Sequence, residues 1–63
     1  MKISSKKIEI VMARGCISVN DIVKAGMPKP TYDRLRISES ARPETVGKLA
    51  KILGCDVTDI LAD

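Results

Sequence analysis

The sequence predicts an all-α fold, a compact five-helix bundle in which helices two and three form a helix-turn-helix. Three observations predict it. Of the 63 residues 44% are hydrophobic, nearly all of them aliphatic, with Tyr32 the only aromatic side chain. Apolar residues recur at three- and four-residue spacing, the repeat of a helix face, and no stretch alternates as a half-buried strand does. Gly15, Gly26, Pro28, Pro43 and Gly54 fall at the edges of these stretches, where chain breakers belong.

Ser4 or Ser5 can cap a first helix that buries Ile8, Val11 and Met12 and stops at Gly15, a left-handed terminator. Ser18 caps the second helix, with Asp21 at its third position and Val19, Ile22 and Val23 spaced to bury. Gly26 makes the turn. The third helix, around residues 29–36, puts Tyr32 and Leu35 on one side with Met27 at its start, while Lys29, Asp33 and Arg34 point elsewhere. Ile37-Ser38-Glu39-Ser40-Ala41-Arg42 has no clear period and reads as a loop. Pro43 suits the first turn of a fourth helix, whose Val46, Leu49, Ala50 and Leu53 form the strongest periodicity in the chain, and Gly54 closes it. Asp56 caps a short fifth helix with Asp59 three residues on and Val57, Ile60 and Leu61 as its apolar residues. Two short helices meeting at a glycine turn are the arrangement in which the second helix enters the DNA major groove.

Size and composition narrow the functions. A chain of 63 residues makes one domain, residues 1–63, too small to enclose a deep substrate cavity. No apolar run approaches the roughly 20 residues a membrane helix requires, and the basic N-terminus lacks the apolar segment of a signal peptide, so the expected location is the cytoplasm. Histidine is absent, no serine or cysteine has a base partner identifiable by motif, and no glycine-rich phosphate loop appears; an enzyme is not expected. Cys16 and Cys55 lack the C-x-x-C spacing of zinc or redox sites, so no metal or other cofactor is expected either. Cys55 reads as a small buried apolar residue.

The net charge is +3, unevenly spread. Lys2, Lys6, Lys7 and Arg14 stand against Glu9 alone, and Lys24, Lys29, Arg34, Arg36 and Arg42 stand against Asp33 and Glu39; the last third of the chain is acidic. Positive charge thus overlaps the third helix and the loop after it, as a surface facing phosphates requires. The same charge also fits a solvated surface without a partner.

Ile17-Ser18 leading into Asp21-Ile22-Val23, Ala25-Gly26-Met27, Thr31-Tyr32-Asp33-Arg34-Leu35 and the run from Pro43 to Cys55 stand in an order and spacing that resemble the lambda-repressor-like (Xre/Cro) helix-turn-helix domains of phage repressors and bacterial regulators. The likeness covers nearly the whole chain. It implies a five-helix bundle that binds operator DNA, commonly as a homodimer, to regulate transcription. Several positions depart from the family pattern: the stretch from Ser18 to Gly26 is one residue shorter than usual, and Val19 replaces a frequent glutamine. Pro28 and Pro30 bracket Lys29, and Arg36 stands where a glutamate is frequent. By family position Lys29, Pro30, Asp33 and Arg34 would face bases.

The residue chemistry agrees with that placement. Lys29 and Arg34 can donate to guanine O6 and N7, Asp33 can accept from cytosine N4, and Thr31 can approach thymine or phosphate. Ser18 and Asn20 at the start of helix two, and Ser38, Ser40 and Arg42 in the loop, are candidates for phosphate contacts. Each of these residues also has a bland reading as a solvated charge or a helix cap. The expectation is a repressor-like transcriptional regulator acting on double-stranded DNA; the alternative is a small helical protein-interaction module of antitoxin or anti-repressor type.

Overall fold

A computed structural model of the chain describes residues 1–62. It contains four α-helices, α1 (Ser5–Gly15), α2 (Val19–Lys24), α3 (Lys29–Ser38) and α4 (Pro43–Leu53), followed by a single 3-10 turn, Val57–Asp59. No strand and no helix long and apolar enough to cross a membrane occur among the described residues.

Local chemistry explains where most helices start. The Ser4 hydroxyl accepts the Lys7 N–H at 3.2 Å and opens α1. At α2 the exchange is reciprocal: Asp21 N–H donates to Ser18 Oγ at 3.2 Å, and Ser18 N–H donates to Asp21 Oδ2 at 2.9 Å. This capping box holds a helix of only six residues, too short to be stable alone. Prolines occupy the first turns of α3 and α4, where their missing N–H leaves no intrahelical bond unmade.

The helix ends depart from the sequence reading. Gly15 is the last residue of α1, and the left-handed position belongs to Cys16, at φ 53°. Gly15 lies close to Ile17 instead: a Cβ there would stand 3.1 Å from Ile17 Cδ1, a tight contact that the isoleucine side chain would have to yield to. Helix α3 runs through Ile37 and Ser38, which the sequence reading assigns to a loop, and stops at Glu39, again left-handed at φ 52°. Gly54 does close α4 in the left-handed region, at φ 70°, with its N–H bonded back to Lys51 O.

The expected fifth helix is the 3-10 turn. Asp56 and Asp59 cap it as the sequence suggests, but Ile60 O accepts Ser4 N–H at 2.9 Å and Leu61 pairs with Ile3 in an antiparallel bridge. The strand-like pairing also takes Ala62 N–H to Lys2 O, which withdraws it from the i→i+4 bond to Thr58 that a longer helix needs.

Ile8, Ile22, Leu49 and Ile60 are fully buried at the centre of the core, and Val46, Ala50 and Leu53 extend it along the inner face of α4. Burying each large aliphatic side chain contributes about 1.5–3 kcal/mol. Ile3, only 1% exposed, joins them from the N-terminal segment, which lies between the α3–α4 loop and the 3-10 turn. Ile3 N–H donates to Glu39 O at 2.9 Å, Ala41 N–H to Met1 O at 3.0 Å and Ala62 N–H to Lys2 O at 3.1 Å. Three expected core residues lie further out: Met12 and Val19 are half-buried, and Val23, on the short α2, is exposed.

Candidate nucleic-acid interface

The segment from α2 to the start of α4 carries every candidate contact. Helix α2 ends at Lys24 with Ala25 as its C-cap, Gly26 turns the chain at φ 120°, and Met27 N–H bonds back to Ile22 O at 3.3 Å. Met27 is 1% exposed, which fixes the start of α3 to the core. Tyr32 and Leu35 bury the inner side of α3, so a helix of this register turns Pro30, Arg34 and Ile37 straight outward at i, i+4 and i+7.

Among the four expected base-reading residues, two are joined to each other. Lys29 Nζ lies 2.8 Å from Asp33 Oδ2, one turn apart, with side chains 64% and 46% exposed. Such a surface pair contributes about 0.3–0.5 kcal/mol, little enough to exchange for an external partner, but in the free chain it cancels both charges. Thr31 and Arg34 are exposed, and neither side chain makes a hydrogen bond or ion pair within the described residues. Arg34 is therefore the unpaired cation of the outer face.

The candidate phosphate contacts divide in the same way. Asn20 and Arg42 are exposed and without side-chain partners, Arg42 standing at the N-cap of α4 without capping it. Ser18 Oγ accepts from the backbone and keeps its own proton to donate. The Ser38 hydroxyl is engaged inside the turn, 2.9 Å from Arg34 O and 3.0 Å from Ser40 O, while accepting Ser40 N–H at 3.4 Å. Ser40 is exposed, and its backbone bridges to Lys2.

No known protein family, characterised protein or solved structure matches this chain. The reading of the surface therefore rests on its own residues.

Arg36 takes a different part from its basic neighbours. Its side chain turns inward from α3, where Nη2 donates to Glu9 Oε1 of α1 at 2.6 Å and Nε to Ser5 Oγ at 3.2 Å. It holds two helices together, so the positive charge counted over residues 24–42 overstates what reaches solvent.

Two surface features escape the sequence reading. The Lys2–Ser40 bridge carries an N-terminal lysine to the loop after α3, a non-local pairing that no spacing announces. Ile37 is 85% exposed on α3's outer face. Its signal is faint but present: continuing the helix past Leu35 puts residue 37 opposite the buried side.

The cysteines are free thiols. Cys55 packs against the core, partly buried, and burial pushes its thiol pKa up with Asp59 and Asp56 adding repulsion, which keeps it protonated and inert. Cys16 is exposed at the end of α1.

Proposed function

We propose that this chain is a small cytoplasmic transcriptional regulator of repressor type, without cofactor or enzymatic activity, that binds operator DNA as a homodimer. In this reading α2 and α3 act as the helix-turn-helix pair, and α3 enters the major groove. The observation that supports it best is the outer face of α3: Arg34 stands there exposed and unpaired, with Thr31 beside it and Arg42 at the start of the next helix. An arginine free of internal partners keeps its planar fork available for a guanine edge or a phosphate.

Selection of bound duplexes from a random-sequence pool tests the reading, and a palindromic consensus would report dimeric binding at the same time. Affinity should fall steeply with salt, by roughly 0.9 log units per log unit of salt for each phosphate neutralised, and Arg42→Ala should lower that slope by about one phosphate. Failure to retain any duplex at low salt would transfer support to a protein-interaction module. That second reading draws on Ile10 and Ile37, aliphatic side chains 48% and 85% exposed.

A further inference from the structure

We propose that α3 reads thymine through Ile37, whose side chain seats against the C5-methyl group one or two base pairs from a guanine held by Arg34. The proposal rests on the DNA-binding reading above and names the bases that the surface selects. Ile37 is 85% exposed although β-branched aliphatic residues are among the most often buried, and nothing in the fold covers it. It lies on the same outward stripe as the unpaired Arg34, three residues on, a rise of about 4.5 Å along the helix axis. Successive base pairs are about 3.4 Å apart, so the two side chains would meet the same base pair's neighbours rather than distant sites.

Electrostatics favours a nucleic acid over a protein groove as the occupant. Asp33, the acidic group on this side of α3, is already neutralised by Lys29 at 2.8 Å, which leaves the stripe cationic at Arg34 and apolar at Pro30 and Ile37. Duplex DNA offers a matching alternation in its major groove: guanine presents two acceptors to an arginine fork, and thymine presents a methyl group. A protein partner would need an acidic group flanked by apolar pockets, whereas Arg42, exposed at the start of the next helix, adds a second cation suited to a phosphate.

The test compares thymine with uracil, which differ in the major groove only by that methyl. Duplexes selected from the random pool are resynthesised with uracil in place of thymine, and binding is measured for the wild-type chain, Ile37→Ala and Arg34→Lys. The wild type should select guanine with thymine within two base pairs and lose about fourfold in affinity for each contacted methyl removed. Ile37→Ala should bind the thymine and uracil duplexes equally while keeping its guanine preference, and its melting temperature should not fall, because the side chain is exposed and alanine is the better helix former. Equal binding of both duplexes by the wild type, or a thymine preference that survives in Ile37→Ala, overturns the assignment of Ile37 while leaving DNA binding intact. Retention of no duplex overturns the DNA reading and this one with it, and marks the stripe as a protein-contact surface.

Discussion

Arg36 on α3 and Glu9 on α1 form an ion pair of unequal partners: at 2.6 Å, the arginine side chain is 23% exposed and the glutamate 65%. Arg36 also donates through Nη1 to the Tyr32 hydroxyl at 2.7 Å, and that hydroxyl in turn donates to Met12 Sδ at 3.3 Å. Burial lowers the guanidinium's affinity for its proton, but the bonds to Tyr32 and Glu9 outweigh it and raise the pKa, so the group stays charged throughout.

The asymmetry should appear in stability. Glu9→Gln removes one half-solvated charge and should cost under about 1 kcal/mol. Arg36→Ala strips partners from Tyr32, Ser5 and Glu9 together and should cost about 1.5–3 kcal/mol. Urea unfolding of both variants measures the difference, and equal losses would show that the arginine acts through Glu9 alone.

Two glycines should respond to alanine in opposite directions. Gly47 lies inside α4, where an added Cβ meets nothing within 4 Å, so Gly47→Ala should stabilise by about 0.5–1 kcal/mol through helix propensity. Gly54 stands at φ 70°, and Gly54→Ala should destabilise by about 1–2 kcal/mol. Thermal melting of the pair decides; a drop for Gly47→Ala would mean that α4 has a close neighbour at that point.

The capping box of α2 should titrate. The Ser18 backbone N–H, followed by the Ser18 side chain, holds the exposed Asp21 carboxyl below its ordinary value of 3.8, with Lys24 adding a smaller pull against slight desolvation. A depressed folded pKa contributes stability that is fully present above 3.8 and is lost as pH falls through the folded value. Asp21→Ala should therefore lower the melting temperature at neutral pH, and the gap from wild type should close on acidification below the ordinary carboxylate range. A gap independent of pH would assign the effect to helix packing instead of the carboxylate.

Arg34→Lys should separate base reading from simple attraction. Lysine keeps the charge but cannot make two parallel bonds to one guanine, so discrimination at one base pair should fall by about 1–3 kcal/mol while non-specific binding holds. Equal weakening on selected and scrambled duplexes would make Arg34 a phosphate contact.

The elements that were legible in the sequence are those whose stabilising groups are local. The stripe of Val46, Leu49, Ala50 and Leu53 and the Ser18–Asp21 box both lie within one helix, and both stand as the spacing suggests. What escaped depends on distant partners. Ile3 is core only because residues 39 and 60 accept its segment's hydrogen bonds, and Arg36 is structural because Ser5 and Glu9 of α1 face it. The end of α3 was hidden for a different reason: Ile37 is exposed, so no apolar repeat marks the helix there, and a non-glycine residue, Glu39, takes the left-handed turn. On the candidate surface, residue types were legible, whereas the Lys29–Asp33 pairing that leaves Arg34 as the exposed cation was a matter of side-chain geometry.

The bridges from the N-terminal segment to residues 39–41 and 60–62 tie two distant parts of the chain to one strap. Each pairing closes a long loop, Met1 reaching Ala41 across 40 residues of chain, a closure cost that grows only slowly with length. The strap that seats Ile3 thus works as a latch: it fastens the α3–α4 loop and the closing turn to one segment, so loosening it would free both at once.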